Sequence, residues 1–165
     1  MTLETEKLLD ETGWHLLQEL QENGRLSYTE LGQRVGLSSS SVIERIRKLE
    51  DAGIITGYHA KVNLAALGLS VLAIIRLKSF EGQNCSHVIT QVSKLPEVLE
   101  TYKVTGGDCI VVKVVAASIS HLERIIEQLS LCGPASTSIV YSKPLERHTI
   151  TRELLERAKD PEEER

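Results

Sequence analysis

Residues 38 to 48 read Ser-Ser-Ser-Ser-Val-Ile-Glu-Arg-Ile-Arg-Lys and bring small hydroxyls together with cations. Ser38, Ser39, Ser40 and Ser41 are short enough to allow a partner to approach closely, and they can donate to phosphate oxygens or base edges. Arg45, Arg47 and Lys48 lie off the apolar stripe of Val42, Ile46 and Leu49, and supply the local positive charge that phosphates require. Basic residues on an exposed helix face are usually only solvated. Arg45 also has a second option, an internal salt bridge with the neighbours of Glu44 or with the second helix. The surrounding elements decide between these readings.

Other chemistry has little support. His15, His59, His87, His121 and His148 are scattered, with no i, i+4 pair and no metal-ligand spacing. There is no GxSxG and no phosphate-loop signature. The carboxylates fall on helix surfaces, where solvation is the expected role. No cofactor, no metal and no catalytic residue is expected, so the chain reads as a non-enzyme. Cys85, Cys109 and Cys132 are odd in number and widely spaced, without a CxxC, which predicts reduced thiols. With no transmembrane-length apolar run and no signal-like N-terminus, the expectation is a cytoplasmic protein without a membrane partner.

The elements that must position the basic stretch are three short helices. Leu16, Leu17 and Leu20 share a face between Thr12 and Asn23. Ser27 and Glu30 have capping-box spacing for a second helix, with Tyr28, Leu31 and Val35 on one side and Gly36 at its end. Ser38 caps a third, which Gly53 stops. The turn Gly36-Leu37-Ser38 gives helix-turn-helix spacing, whose second helix enters the major groove of double-stranded DNA. That context turns the odds in favour of a DNA-reading helix. Ile54 to Val62 reads as a strand or wing, and Ala65 to Gly68 as a helical turn and hinge.

From Leu69 the period changes. Strands are predicted over Val71–Lys78, Val98–Val104, Cys109–Ala116 and Ser138–Ser142, with helices over Cys85–Leu95 and Ser118–Leu131. Thr105-Gly106-Gly107-Asp108 is a hairpin turn. The order β-α-β-β-α-β is ferredoxin-like, with both helices on one sheet face and the other face open. The fold class is therefore α+β: a winged helix-turn-helix over residues 1–62, a hinge over 63–69, a ferredoxin-like domain over 70–148, and a short helix with a charged tail over 149–165.

Charge is a caution. The chain carries a net −4. Residues 1–62 hold seven Lys/Arg against ten Asp/Glu. A local stripe outweighs net charge in phosphate contact, so DNA remains the expected partner.

The ordered residues resemble the Lrp/AsnC family of transcriptional regulators. Leu9-Asp10, Leu16-Leu17, Leu20-Gln21 and Gly24-Arg25 begin the match. Leu31, Val35-Gly-Leu-Ser38, Val42, Arg45-Ile-Arg-Lys-Leu-Glu50, Gly53-Ile54-Ile55 and Gly57-Tyr58 continue it. Leu67-Gly68, Pro96-Glu-Val98, Val104-Thr-Gly106 and Thr137-Ser-Ile-Val140 extend it to about residue 148. The resemblance implies dimers formed by pairing sheets, assembly to octamers, promoter DNA as partner, and an amino acid or related metabolite bound between subunits. It assigns DNA contacts to Ser38, Ser39, Ser40, Ser41, Arg45, Arg47 and Lys48. It assigns effector contacts to Thr105, Gly106, Gly107 and Asp108, with Thr137 and Ser138 on the last strand. The two glycines permit φ > 0 in the turn and leave backbone N–H groups free to hold a carboxylate. Asp108 has two roles open to it, an ammonium contact or a cap of the turn.

Two positions depart from the family pattern. Gly13 stands where an acidic residue is usual, and Cys109 where many members have Asp, which leaves the effector's identity open. Cys109 reads as an inert small hydrophobe, with a redox role as the alternative. Sirohaem decarboxylases resemble the same two-domain architecture, but they tend to carry Arg-Arg-Ile-Gly where this chain has Thr56-Gly-Tyr-His59. A regulator is the expected function, with an enzyme or a binding scaffold as competing readings.

Overall fold

Polar side chains set where the helices begin. In the computed structural model, which describes residues 3–81, 84–145 and 147–159, a short helix α1 (Leu3–Leu8) precedes the three expected ones. Asp10 then caps α2 (Glu11–Glu22), accepting from Gly13 N at 2.8 Å. Ser27 and Glu30 form the capping box of α3 (Tyr28–Val35), with Glu30 N donating to Ser27 Oγ at 3.2 Å and Ser27 N to Glu30 Oε2 at 2.8 Å. Ser38 caps α4 (Ser39–Asp51) through Ser41 N at 3.2 Å. Each such cap satisfies one of the N–H groups that a helix start leaves without a partner.

The helices close over Leu16, Leu31, Val42 and Ile46, all buried, with Leu20, Leu26, Val35, Leu37 and Ile55 packed around them. Burying side chains of this size contributes about 1.5–3 kcal/mol each. The turn between α3 and α4 depends on two glycines. Gly36 ends α3 at φ 72°, a conformation that a Cβ disfavours. Gly32 lets the backbone of Leu37 lie directly on α3, since a Cβ there would overlap the Leu37 carbonyl oxygen.

The segment Ile54–Val62, expected as a strand or wing, carries no ladder, and among the described residues no strand pairs with it. Ile54 N and Ile55 N instead donate to Leu49 O at 2.9 and 3.1 Å, holding the segment against the end of α4. Tyr58 and Val62 are about half-exposed. A 3₁₀ turn at Ala65–Leu67 follows.

The second part of the chain is β1 (Val71–Leu77), α5 (Cys85–Val92), β2 (Val98–Lys103), β3 (Ile110–Ala116), α6 (Ile119–Ser130) and β4 (Ala135–Ile139). The strands form one antiparallel sheet in the order β2-β3-β1-β4. The last strand begins three residues earlier than the sequence suggests. Lys78 N donates to Pro134 O at 3.0 Å, and this bond starts the ladder immediately after the Gly133-Pro134 break.

Alternation sorts the sheet into two faces. Ala73, Ile75 and Leu77 pair with Val114, Val112 and Ile110 and are fully buried with Val88, Val92, Leu122, Ile125 and Leu129 of the helices. Leu72, Ile74 and Arg76 pair with Val115, Lys113 and Val111 and point to the opposite side. Neither α5 nor α6 packs on that side.

Cys85 and Cys109 are joined by a disulfide, with Cα atoms 5.7 Å apart, which corrects the expectation of reduced thiols throughout. Cys85 opens α5 and Cys109 precedes β3, so packing of the helix on the sheet closes a gap of 24 residues that chain spacing does not reveal. Cys132 is a free thiol.

The chain divides into two compact units, one of residues up to 61 together with those from 145 onward, the other of 62–144. The final segment thus belongs with the three-helix unit. Gln21 holds it there by both ends of its amide: Ile150 N donates to Gln21 Oε1 at 2.9 Å, and Gln21 Nε2 donates to Ile150 O at 3.0 Å. Helix α7 (Arg152–Lys159) follows and carries two i, i+4 ion pairs, Arg152–Glu156 and Arg157–Glu153. The charged tail expected beyond it lies outside the described residues.

Candidate nucleic-acid interface and effector region

The surface of α4 presents its hydroxyls and cations unequally. Ser38 and Ser40 are exposed, while Ser39 and Ser41 are half-buried. Ser38 Oγ lies 3.0 Å from Ser40 Oγ and 2.9 Å from Ser41 Oγ, and Ser39 Oγ lies 3.1 Å from Thr29 Oγ1 on α3. Hydroxyls in such a chain can exchange a partner for a phosphate oxygen without loss of hydrogen bonding.

The three cations differ more. Arg45 donates from Nη1 to Asp10 Oδ1 at 2.8 Å and from Nη2 to Asp10 Oδ2 at 2.9 Å. The sequence left an internal salt bridge open for Arg45, and this is the one it makes, although with the cap of α2 and not with α3. The guanidinium holds the Asp10 carboxyl below its ordinary pKa, with help from the Gly13 N–H and against partial burial. Lys48 Nζ meets Glu44 Oε1 at 2.6 Å one turn away, and that contact lowers the Glu44 pKa. Arg47 is exposed and has no ion-pair partner among the described residues. It is the cation most available to a phosphate. An open cleft of about 480 Å³ runs between α1 and α4, lined by Lys7, Leu8, Leu37, Ser41, Glu44, Arg45 and Lys48.

Gly13, the family departure, has a local cause. A Cβ there would overlap the Leu8 carbonyl oxygen, so glycine lets the end of α1 lie on the first turn of α2. At the end of α4, Tyr58 Oη donates to Glu50 Oε1 at 3.1 Å. Burial, followed by that hydrogen bond, pushes the Tyr58 hydroxyl up to about 12.

The residues assigned to the effector fall into two places. Thr105, Gly106 and Gly107 form the exposed tip of the β2–β3 hairpin, with Asp108 half-buried behind them. Gly106 has φ 107°, whereas Gly107 is not in the positive-φ region and has open space where a Cβ would stand. The turn itself therefore needs only one of the two glycines. Thr137 and Ser138 lie on β4, at the opposite edge from β2. Thr137 pairs with Ile75 on the helix side, and Ser138 with Ile74 on the open side. Three strand spacings separate the two edges, about 14 Å. One chain does not bring the two groups together.

Asp10, Gln21 and the cysteine pair were not among the expected site residues. Asp10 did have a local signal, an N-cap side chain three residues before Gly13, but its partner 35 positions away had none.

A three-helix unit whose last helix is capped and exposed on its polar face, and an α+β unit with one sheet face that its own helices leave open, make up a two-domain protein of the helix-turn-helix class. Residues 9–56 match the family model for winged helix-turn-helix DNA-binding, and residues 70–150 that for the Lrp/AsnC ligand binding domain. The HTH-type transcriptional regulator YezC of Bacillus subtilis is 41% identical over 134 residues, covering 81% of this chain and 94% of that protein. The structure of LrpC from B. subtilis superposes with a TM-score of 0.79 at 30% identity, covering 84% of this chain and 99% of the other. A transcriptional regulator of Neisseria meningitidis, solved as its L-methionine complex, gives a TM-score of 0.79 at 31% identity, covering 86% and 96%. The chain belongs to the Lrp/AsnC family of transcriptional regulators.

Proposed function

We propose that this regulator binds promoter DNA as a homodimer that assembles further, up to an octamer, and that an amino acid bound between subunits tunes its affinity for DNA. The domains divide the work as 1–62 for DNA, 63–69 as hinge and 70–148 for effector and assembly, in the cytoplasm and without catalysis. Ser38–Ser41 and Arg47 meet the DNA backbone and base edges, with Lys48 released from Glu44 as a phosphate takes its place. Arg45 acts chiefly by holding α4 to the cap of α2.

The observation that carries this reading is the open sheet face. Leu72, Ile74 and Val111 are only half-buried on that face, which the helices of their own unit leave without a covering layer, and burial against a second copy removes it from water. Separation of Thr105–Asp108 from Ser138 supports an effector site completed by another subunit. The methionine complex of the Neisseria regulator supports an amino acid as ligand. Effector control is then a coupling free energy between two sites, typically about 1–3 kcal/mol.

The test is a gel shift of the full chain with its own upstream double-stranded DNA at two salt concentrations, with and without L-methionine. A sequence-specific shift that weakens with salt and changes with methionine is expected. Equal retention of unrelated DNA would overturn specificity, and no response to methionine or to a panel of amino acids would overturn the effector assignment.

A further inference from the structure

We propose that Cys85 and Cys109 are a reversible oxidation site, a thiol pair that a peroxide converts to the disulfide and a dithiol returns to the reduced form, and that the bond fixes the β2–β3 turn. The consequence for ligand binding rests on the effector reading above; the oxidation itself does not.

The geometry permits the bond without rebuilding the fold, since the 5.7 Å between Cα atoms falls within the range that disulfides span. The two sulfurs have different surroundings. Cys85 is partly exposed and is the first residue of α5, whose start is capped by Asn84 accepting from Ser86 N at 2.9 Å. The free N–H groups of a first helical turn favour a thiolate. Cys109 is only 5% exposed. Cys85 is therefore the sulfur that an oxidant reaches, and Cys109 the one that resolves the product.

The chemistry balances in two steps. The Cys85 thiolate attacks one oxygen of the peroxide, the O–O bond breaks, and the other oxygen leaves as hydroxide or alkoxide and takes a proton. Cys109 then attacks the sulfenic sulfur, the S–O bond breaks, and water leaves with the Cys109 proton. Two thiols lose two electrons and the peroxide gains them. Thiol–disulfide exchange with a dithiol reverses the result.

What the bond restrains follows from the ladder. Cys109 O accepts from Val104 N at 3.4 Å, the pair that closes the 105–108 turn, and Cys109 N donates to Leu77 O at 2.7 Å. Oxidation thus ties the base of that turn to α5. The rest of the hairpin tip is exposed and is held by nothing comparable.

The experiment is alkylation and intact mass of the full chain, with hydrogen exchange on the same samples. Reduced protein takes up three alkyl groups, one per cysteine. After stoichiometric peroxide it takes up one, at Cys132, and dithiothreitol without denaturant restores three. Amides of residues 105–108 exchange at least about tenfold more slowly in the oxidised form. Cys85→Ser takes up two groups before and after peroxide and shows no change in exchange. Cys132→Ser keeps the cycle, and because Cys109→Ser enlarges no space but buries a hydroxyl, Cys85→Ser carries the test. Three alkyl groups after peroxide, loss of alkylation in Cys85→Ser, or a bond that dithiothreitol leaves intact in the folded chain overturns the proposal. If the bond cycles and the turn responds while neither form binds L-methionine or any amino acid, the oxidation site stands and the effector reading falls.

Discussion

Arg45 grips Asp10 with both guanidinium nitrogens, at 2.8 and 2.9 Å, so one carboxylate caps α2 and anchors α4 at once. The three-helix unit is held in shape by a residue that also sits on its basic helix, α4.

Two substitutions separate shape from contact. Asparagine caps helices as well as aspartate does, so Asp10→Asn keeps the cap and releases Arg45. Both side chains are partly exposed, and the ion pair is worth about 1 kcal/mol or less. If Arg45 acts by position, Asp10→Asn and Arg45→Ala lower Tm similarly, the double variant adds little, and both weaken DNA binding. Retained or tighter DNA binding in Asp10→Asn, with loss in Arg45→Ala, would assign Arg45 to the DNA itself.

Arg47 is exposed and makes no side-chain ion pair among the described residues, so Arg47→Ala leaves Tm nearly unchanged. DNA affinity falls across all sequences, and the slope of log affinity against log salt becomes shallower by about 1, as for one lost phosphate contact. Titration by fluorescence anisotropy at several salt concentrations measures both quantities, and an unchanged slope would remove Arg47 from the interface.

Acid and alkali act through different residues. The Asp10 carboxyl is lowered by Arg45, so its contribution is complete above the ordinary carboxylate range and is lost as pH falls through the lowered value. Tyr58 is the reverse case: raised to about 12, it contributes fully below pH 10, and the contribution is lost as pH rises toward 12. Chemical denaturation across pH 9–12 shows a smaller stability loss in Tyr58→Phe than in the parent. Parallel curves would remove Tyr58 as a source of the alkaline loss.

Ile74→Asp places a charge in the centre of the open sheet face, where desolvation against a second copy costs several kcal/mol. Sedimentation equilibrium gives monomers for the variant and dimers or larger species for the parent, while circular dichroism of the two agrees. A variant that sediments as the parent does would place the subunit interface elsewhere.

Local signals were legible and distant ones were not. Ser27 and Ser38 announced their helices because caps and boxes act within four residues, and the apolar runs of Val71–Leu77 and Ile110–Ala116 marked strands of the family's α+β domain. The start of β4 was misplaced by three residues because its ladder depends on Lys78, far back in the chain. No strand formed over Ile54–Val62, since β-forming residues need a partner edge as well as propensity. The pairings Arg45–Asp10, Cys85–Cys109 and Gln21–Ile150 join residues 35, 24 and 129 positions apart. Nothing in periodicity or composition encodes such a meeting. On α4 the residue types were readable and the Glu44–Lys48 pair is local, but the pairing of Arg45 was decided by a tertiary contact.

The amide clamp between Gln21 and Ile150 has a meaning for how the protein is made. Translation delivers α2, α3 and α4 first, and their four-residue core closes without any later segment. The strap that Gln21 holds emerges only after the whole of 62–144 has been synthesised. A ribosome paused within the sheet has delivered the helices but not the strap, and completion of the chain beyond the last strand supplies the missing piece. Synthesis of the helices and completion of their unit are therefore separated in time by the synthesis of the unit between them.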